Sequence, residues 1–393
     1  MILACENSQM REFNIIILGA GMAGASLAWR LAGLRSVALI ERESQPGYHS
    51  TGRSAAMFME SYGPPMVRAL TRASRAFYEQ PPPGFASERL MQPRGALYLA
   101  THGQEAQLAQ THAELAATCP GLTKLDAAAT LARVPCLRPE VVHGALYDPG
   151  AQDIDVHALH QGFLRGFRQK AGPDGELRTG ATLTQAHHDG QRWTLQFADG
   201  QTLTASTVVN AAGAWADEVA ALFGAQPIGL VPHRRSAFTF KPPEGMDASG
   251  WPAVVGVDES YYFKPDAGQL LGSPANADPT VPHDVAPEEL DIALGIHQIE
   301  SVSTLSIRRP SSTWAGLRSF VPDGELVIGP DDVCPGFFWL AAQGGYGIQS
   351  AAGASALADA LIRGVPLPEE LIQQGVVPAA LSPARLRAAE CKK

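Results

Sequence analysis

Three glycines near the start of the chain have the spacing that binds a phosphate. Gly19, Gly21 and Gly24 form the pattern G-x-G-x-x-G within "LGAGMAGASLAW". Such a turn lets backbone amides approach a pyrophosphate at the N-terminus of a helix, where the helix dipole favours negative charge. Glu41 follows about 20 residues later, where an acidic side chain binds ribose hydroxyls in dinucleotide sites. The pattern predicts a dinucleotide site; the alternative is a structural turn with chance spacing.

Two further segments distinguish between NAD and FAD. After Glu41 the chain enters "GYHSTGRSAA", a loop of small and hydroxyl residues, instead of another regular strand and helix. Such a loop can cover the far side of an FAD pyrophosphate. The C-terminal "AAQGGYGIQ" places Gly344, Gly345 and Gly347 just before a helix, whose N-terminus would stabilise negative charge on a reduced flavin. Both segments favour FAD.

The elements that must position these residues alternate between strand and helix. A buried strand over 15–18, a helix over 22–32 and a second strand ending at Glu41 make a βαβ unit, the opening of a parallel sheet. Between about 229 and 320 the chain instead shows short strands broken by Pro and Gly. This change in composition indicates a separate domain inserted into the first.

The predicted fold class is α/β: a discontinuous Rossmann-like FAD-binding domain with an inserted α+β substrate domain built on a mixed β-sheet. A chain of 393 residues is long enough for two domains. The FAD-binding domain is predicted over 12–85, 148–228 and 320–385. The substrate-binding domain is predicted over 86–147 and 229–319.

Composition and charge exclude several classes of protein. The formal net charge of −9 argues against nucleic acid as a partner, because binding a phosphate backbone needs a surplus of Lys and Arg. No apolar run reaches the roughly 18 residues of a transmembrane segment.

The five scattered cysteines fit reduced thiols in the cytoplasm. No metal site is predicted: His157 and His160 lack a third ligand and fit a helix face. Residues 1–9, before Met10, are interpreted as an extension or an overlong start.

Several longer motifs together resemble one known family. They are the glycine pattern, "GYHSTGRSAA", "VVNAAGAWAD", "RRSAF", "YYFKPD", "WAGLRSFVPDG" and "QGGYG". From about residue 13 to the C-terminal region they are similar to the FAD-dependent D-amino acid oxidase/dehydrogenase (DAO) family, and especially to its bacterial D-arginine dehydrogenases. The resemblance implies non-covalent FAD, hydride transfer from the substrate α-carbon to the flavin, and hydrolysis of the imino acid to a 2-oxo acid and ammonia. Sarcosine oxidase relatives carry a flavin-linked cysteine near "WAGLRSF", and this chain has none there.

The resemblance also implies the site residues. Arg235 and Arg318 fall where arginines bind the substrate carboxylate, a role suited to a bidentate guanidinium. Tyr62 and Tyr262 fall where phenols line the pocket, and Gly345 falls where a backbone carbonyl receives the substrate amine. The residues predicted to bind FAD are Gly19, Gly21, Met22, Ala23, Gly24, Glu41, Arg42, Ser50, Thr51, Gly52, Ser54, Ala55, Ala56, Ala212, Gly213, Trp215, Gly344, Gly345, Tyr346, Gly347 and Ile348.

The predicted side-chain pocket departs from the D-arginine dehydrogenases. Those enzymes have a glutamate for the substrate guanidinium at the position of Ala96, and a histidine and a threonine at Met57 and Met59. An alanine cannot pair with a cation, and burying a basic side chain unpaired is costly. We therefore expect a preference for apolar or weakly charged D-amino acids. Glu60 could replace the missing carboxylate, but on a strand beside Met59 it would point away. Core filling is the other interpretation of the two methionines.

The favoured function is oxidative deamination of D-amino acids, with electrons passed to a quinone or a similar acceptor, or to oxygen. One alternative is an oxygen-using oxidase of secondary amines or small amino acids, of the glycine or sarcosine oxidase type. A more remote alternative is a flavin-binding module without catalysis, against which the retained arginines and tyrosines argue. We expect a cytoplasmic protein, or one associated with a membrane through its electron acceptor.

Overall fold

The computed structural model describes residues 11–390. The predicted N-terminal extension, including Cys5, and residues 391–393, including Cys391, lie outside the described residues. The described chain has two large β-sheets and a small one, with helices packed against them. The predicted mixed α/β class is confirmed.

Strands and helices are distributed along the whole of the described chain. In chain order the strands are β1 Arg11–Leu18, β2 Val37–Ile40, β3 Met57–Phe58, β4 Met91–Pro93, β5 Ala96–Thr101, β6 Thr123–Asp126, β7 Val142–Asp148, β8 Gln152–Ile154, β9 Gly175–Arg178, β10 Leu183–His188, β11 Trp193–Phe197, β12 Thr202–Asn210, β13 Val231–Phe240, β14 Ala253–Gly256, β15 Tyr262–Asp266, β16 Gln269–Ser273, β17 Asp278–Pro279, β18 Ser312–Phe320, β19 Val327–Pro330 and β20 Phe337–Ala341. The helices are α1 Met22–Leu31, α2 Pro65–Glu79, α3 Glu105–Leu115, α4 Ala127–Arg133, α5 Val156–Ala171, α6 Ala216–Leu222, α7 Glu289–Val302, α8 Ala351–Arg363, α9 Glu369–Gln373 and α10 Ala384–Glu390.

The first sheet has the order β10-β11-β12-β1-β2-β9, with β20 beside β12 and β19 beside β20. Its centre is parallel, because β1 pairs in parallel with β12 and β2, and β2 with β9. Helices cover this centre, and strands buried on both faces are apolar along their length, as β2 is. The carboxyl ends of three of these strands lead into Gly19, Glu41 and Ala211. Ligands bind at this edge of a parallel sheet.

The second sheet has the order β17-β13-β16-β15-β14-β5-β7-β6, and β18 pairs with β13 along its length. Its pairs are antiparallel except for β14 with β5. A small third sheet, β3-β8-β4, connects segments from both sides of the predicted first domain boundary. The strands of the second sheet come from 96–148 and 231–320, close to the predicted substrate-binding ranges. The division into domains itself stays a prediction.

Helices α1, α5 and α8 pack together over the first sheet, with α1 in contact with both of the others. Trp29 on α1 lies edge-on against Phe85 and Phe163, so aromatic side chains fill the space between α1 and α5. The sheet and its helices thereby hold the glycine turn between β1 and α1 in place. Within residues 11–390, each helix is too short or too polar to cross a bilayer.

The βαβ unit formed by β1, α1 and β2 confirms the sequence prediction, with α1 ending one residue before the predicted position. The segment after β2 differs from the sequence prediction. Only Met57 and Phe58 are in strand β3. The chain then turns, because the amide of Tyr62 donates to the carbonyl of Met59 at 3.3 Å. Glu60 therefore lies in a turn, and the strand alternation used to orient it was wrong.

Candidate active site

The glycine turn after β1 closes tightly against α1. A Cβ atom at Gly24 would lie 1.9 Å from the carbonyl oxygen of Gly19, so a larger residue would force the helix and the turn apart. Glu41 braces the turn. Its Oε2 accepts the amide of Ala20 at 2.9 Å, and its Oε1 accepts the amide of Glu43 at 3.0 Å. Each carboxylate oxygen keeps a free lone pair, so the geometry leaves the predicted ribose contact available.

His160 supports the same turn from α5. Its Nε2 lies 2.9 Å from the carbonyl oxygen of Ala20, and because a carbonyl only accepts, Nε2 carries the proton. The His160 ring also lies against Gly47, where an added Cβ would be 2.9 Å from Cε1. Burial lowers the pKa of His160. His160 does lie on a helix face, as predicted, but that face is buried and the side chain joins the glycine turn to the following loop.

We expect acid to weaken this region through His160. Its folded pKa is below the unfolded value of about 6.5, so its contribution to stability is present above that pH and is lost as pH falls through the folded pKa. The unfolding temperature and the fraction of FAD that stays bound, both measured from neutral to acidic pH, should decrease. His160→Gln, whose amide can donate to Ala20 without titrating, should flatten the decline, whereas exposed His157→Gln should not. An unchanged decline in His160→Gln would contradict the assignment.

The loop "GYHSTGRSAA" is fastened across the turn by two hydroxyl groups. Thr51 Oγ1 accepts the amide of Met22, the first residue of α1, at 3.0 Å. Ser50 Oγ donates to the carbonyl of Leu317 on β18 at 2.6 Å. The loop thus connects the first helix of the dinucleotide unit to the second sheet, and the two sheets meet around it.

Two adjoining cavities follow this loop. The predicted FAD residues that line the first cavity are Gly21, Met22, Ala23, Ser50, Thr51, Ser54, Ala55, Ala56, Gly213, Gly344, Gly345, Gly347 and Ile348. Those that line the second are Gly19, Gly21, Glu41, Arg42, Ser50, Thr51, Ala212, Gly213 and Trp215. Gly24, Gly52 and Tyr346 line neither cavity. Gly24 and Gly52 act through close packing of the backbone, and Tyr346 packs against Tyr62.

The residues of these cavities fit a dinucleotide with a heteroaromatic ring system. Gln343 lines the first cavity, and both Oε1 and Nε2 of its amide are buried without a hydrogen-bond partner in the described chain. A buried unpaired polar group costs about 1–3 kcal/mol, so a bound group offering a donor and an acceptor would complete this site. In the second cavity the Arg42 guanidinium lies 3.8 Å from the Trp215 ring centroid. The two cavities share Gly21 at the helix N-terminus, a position suited to a pyrophosphate.

Two arginines face the first cavity from neighbouring strands. In the β13–β18 pair, His233 lies opposite Arg318 and Arg235 lies opposite Gly316. Residues two apart on a strand share a face, so Arg235 and Arg318 lie on the same side of the sheet. Both line the first cavity. Strand register therefore brings together two guanidiniums that are far apart in the sequence.

The two guanidiniums lack carboxylate partners among residues 11–390. Arg318 Nη2 donates to the Tyr62 hydroxyl at 2.8 Å, and Arg235 Nε donates to the carbonyl of Asn276 at 2.6 Å. Burial lowers the pKa of Arg235, and the positive charge of Arg318 lowers it further. A buried charge without a counter-ion is costly. This end of the cavity is therefore built to receive an anion.

The five residues predicted for substrate binding line one cavity: Tyr62, Arg235, Tyr262, Arg318 and Gly345. Gly345 touches Arg318 directly, because an added Cβ would lie 1.9 Å from Arg318 Nη2. The rings of Tyr62 and Tyr346 meet edge-on with centroids 5.1 Å apart. The Arg318 guanidinium is thus enclosed by aromatic rings and by a backbone that leaves no room for a side chain.

The predicted side-chain pocket is only partly as expected. Met57 and Met59 line the first cavity, but Ala96 does not. Ala96 is fully buried on β5, and the wall there is formed by Tyr98, which is two residues further along the same face. Glu60 does not replace a missing carboxylate, because its Oε1 accepts a hydrogen bond from Arg75 Nε at 2.6 Å. Met57 and Met59 therefore line the cavity and also pack in a hydrophobic cluster.

Several cavity residues were not predicted from the sequence, among them Tyr98, Gln343 and Glu259. Tyr98 could have been found by strand alternation from Ala96. Gln343 stands inside the glycine-rich motif but has no distinctive spacing. Glu259 lines the cavity from the turn between β14 and β15, where it has a positive φ of 57°. No local signal marks Glu259, because its place depends on how that turn meets β5 and β13.

One group of metal-binding side chain types occurs within residues 11–390. His102, Glu105 and His143 place one ligand atom each within 4.8 Å of the others on the surface. None of the three lines either cavity. We assign no metal to the chemistry of the site.

A parallel sheet with a glycine turn at its carboxyl edge, and a cavity running from that turn to a pair of arginines, define a dinucleotide-dependent oxidoreductase. The sequence profile described as "DAO: FAD dependent oxidoreductase" matches residues 14–360, and the chain belongs to this family. Its cofactor is FAD.

Individual relatives are distant. Human mitochondrial dimethylglycine dehydrogenase is 26% identical over 395 residues, covering 94% of this chain and 45% of that protein. The chain thus spans about half the length of that relative. Among solved structures, glycine oxidase from Geobacillus kaustophilus has a TM-score of 0.79 at 20% identity, covering 94% of this chain and 99% of that one. L-proline dehydrogenase from P. horikoshii has a TM-score of 0.80 at 18% identity, covering 97% and 99%. At these identities the solved structures show the fold alone.

Proposed function

We propose that the protein is an FAD-dependent oxidoreductase that converts D-amino acids to 2-oxo acids and ammonia. The pair of half-buried arginines, Arg235 and Arg318, carries this proposal, because both face the cavity without a carboxylate partner among residues 11–390. A substrate carboxylate would supply the missing charge through charge-assisted hydrogen bonds, each worth about 1.5–3 kcal/mol. Such binding fixes one end of an amino acid inside the cavity.

The remaining predicted residues support this orientation. Tyr62 already bonds Arg318 and would share the carboxylate, while Tyr262 faces the same space. The carbonyl of Gly345 would receive the substrate amine, whose α-carbon then faces the flavin side of the cavity. When bound, FAD accepts the hydride from that carbon. Positioning of this kind supplies much of the rate in such reactions.

The preference for D-amino acids and for apolar side chains rests on sequence and pocket composition. The motifs that carry Arg235, Tyr262 and Arg318 resemble those of D-arginine dehydrogenases, whereas the pocket wall is formed largely by apolar side chains, including Met57, Met59, Ala253 and Val255. A wall of this kind disfavours an unpaired guanidinium. We therefore propose that D-arginine is a poorer substrate than D-methionine or D-leucine.

Anaerobic mixing of the holoenzyme with single substrates tests the function. The panel contains D- and L-forms of methionine, leucine and arginine, together with glycine, sarcosine and dimethylglycine, and loss of the yellow flavin colour is recorded. We expect the apolar D-amino acids to bleach the flavin fastest and the L-forms to leave it oxidised. Absence of bleaching by every D-amino acid would overturn the proposal.

A second candidate is an oxidase of secondary amines or small amino acids. Similarity to a glycine oxidase structure and to dimethylglycine dehydrogenase favours it. The same panel separates the two, since faster bleaching by glycine, sarcosine or dimethylglycine would support the second candidate. A flavin-binding module without catalysis would stay yellow with every compound. Reoxidation by oxygen, compared with a quinone analogue, identifies the electron acceptor, for which we propose a quinone.

Non-covalent binding of FAD is also part of the proposal. Cys119, Cys136 and Cys334 are buried and line neither cavity. A cytoplasmic location, with any membrane association made through the electron acceptor, stays a prediction from the sequence.

A further inference from the structure

A chain of three buried polar side chains begins at the wall of the first cavity and leads away from it. The Tyr98 hydroxyl lies 2.9 Å from Ser61 Oγ, and Ser61 Oγ lies 2.6 Å from Asp148 Oδ2. Tyr98, Ser61 and Asp148 are respectively 4%, 5% and 7% exposed. Of the three, Tyr98 lines the cavity. The proposed function assigns no role to these three hydrogen-bonded side chains.

The direction of these hydrogen bonds is determined by Asp148, the last of the three side chains. An ionised carboxylate only accepts, so Ser61 must donate its single proton to Asp148. The Ser61 oxygen then accepts from Tyr98, whose proton is directed away from the cavity. Burial raises the pKa of Tyr98, so the phenol keeps its proton. The Tyr98 oxygen is thereby left as a hydrogen-bond acceptor, polarised by the carboxylate behind it.

The surrounding charges reinforce this polarity. Asp148 has no ion pair among residues 11–390; the amide of Gly150 donates to its Oδ1 at 2.9 Å. The nearby Arg75 is already paired with Glu60 and Glu79. Glu259, which also lines the cavity, is close to both Tyr98 and Arg235 and does not distinguish the two ends. The carboxylate of Asp148 behind Tyr98 therefore gives that end its negative polarity, whereas the two arginines make their end positive.

Strand order places Tyr98 and Arg235 on different strands that face the same cavity. Tyr98 on β5 lies opposite Val255 on β14, and Val255 lies opposite Tyr262 on β15. Arg235 lies on β13, two strands beyond β15. At the usual strand spacing, β5 and β13 are about 19 Å apart, and long side chains extend over the sheet from both. All four residues line the same cavity, so a ligand held by its carboxylate at Arg235 can point its other end across these strands towards Tyr98.

We propose that Tyr98, polarised by Ser61 and Asp148, is a specificity-determining residue that binds an O–H or N–H donor at the end of the substrate side chain. Among side chains of equal length that reach Tyr98, one with an apolar stem against the methionines and a terminal hydroxyl, amide or ammonium then binds more tightly than one that ends in a methyl group. That the ligand is an amino acid rests on the proposed function. The contact with Tyr98 itself requires only a ligand with a carboxylate at one end and a hydrogen-bond donor at the other.

The test measures binding to the holoenzyme, so it does not depend on turnover. Hexanoate, 6-hydroxyhexanoate and 6-aminohexanoate have the same stem and differ only at the far end. Their dissociation constants are measured from the change in the flavin absorption spectrum, in the wild type and in Tyr98→Phe. We expect the wild type to prefer the hydroxy and amino compounds, and Tyr98→Phe to reduce that preference about tenfold while leaving hexanoate binding unchanged. The hydroxy and amino compounds distinguish a neutral from a cationic donor.

Tyr261→Phe is the matched control, because Tyr261 is a buried tyrosine whose hydroxyl has no partner in the described chain and does not line the cavity. It should leave all three constants unchanged. If Tyr98→Phe does not fold, Ser61→Ala breaks the chain without altering the cavity wall and should act in the same direction. An unchanged preference in a folded Tyr98→Phe or Ser61→Ala variant, or equal weakening of all three ligands, would overturn the inference. Failure of the D-amino acid panel, with the donor preference retained, would overturn the proposed function alone.

Discussion

Replacement of Arg318 by leucine is expected to lower kcat/KM by two to three orders of magnitude for every amino acid that the enzyme oxidises. The Arg318 guanidinium lies beside Gly345 and donates to Tyr62, so its removal leaves the substrate carboxylate with one arginine and an apolar side chain. Breaking a buried ion pair on one side costs about 3–5 kcal/mol, and about 1.4 kcal/mol corresponds to a factor of ten in rate. The measurement is steady-state kinetics with the best substrate from the anaerobic panel.

Two further variants separate loss of the carboxylate contact from general damage. Arg309→Leu removes an exposed arginine from the same region of the chain and should leave kcat/KM unchanged. Arg318→Lys keeps the charge but loses the planar fork, so it should be intermediate. Without substrate, the leucine variant should unfold at no lower temperature than the wild type, because a buried charge without a counter-ion has been removed. Retention of wild-type kcat/KM in Arg318→Leu would contradict the proposed carboxylate site.

Substitution of Gly24 by alanine is expected to produce a protein that is purified without FAD. The added Cβ would lie 1.9 Å from the Gly19 carbonyl oxygen, within the turn that faces the pyrophosphate. Overpacking costs about 1–3 kcal/mol, and a clash with backbone at 1.9 Å falls at the upper end of this range. Because it separates α1 from the turn, we expect the dissociation constant for FAD to rise about a hundredfold. Flavin content after purification and titration of the apoprotein with FAD both report the effect.

Gly250→Ala is the control for the glycine substitution, since an added Cβ there meets no atom within 4 Å. It should bind FAD as the wild type does. Circular dichroism should show that Gly24→Ala keeps its secondary structure, because β1 and the packing of α1 on α5 and α8 do not depend on the pyrophosphate. A Gly24→Ala protein that retains its flavin through purification would refute the assignment of this turn to the dinucleotide.

Gly24 and Arg318 differ in what determines their positions. Gly24 belongs to a motif that is complete within a few consecutive residues. Arg318 acts only because β18 pairs with β13 in a register that places it on the same face as Arg235. The stability of the free protein is affected differently by each, because the arginine pair is unfavourable until an anion binds. A ligand that binds the folded state alone stabilises it, so substrate carboxylates should raise the unfolding temperature of the wild type more than that of Arg318→Leu.

Local spacing was enough to predict the dinucleotide unit. The glycine pattern, the buried strand before it and Glu41 after it are separated by distances that the βαβ unit itself imposes, so they could be interpreted without knowing the rest of the fold. The same holds for the absence of a basic surplus and for the family resemblance carried by uninterrupted motifs. In the dinucleotide unit the relevant contacts lie within about 30 residues, where helix and strand geometry determine what can meet.

The substrate end of the cavity depended on contacts between distant segments. Ala96 was expected in the pocket, but the pleat of β5 and its pairing with β14 bury it and bring Tyr98 to the wall. His160 and Gln343 carry no spacing signal, because their partners lie on other elements or on the ligand. The amino-acid order therefore established a flavin-binding oxidoreductase with two candidate arginines. Long-range strand register decided that the arginines converge, and that the opposite end of their cavity is polar, since register is determined by the packing of the whole sheet.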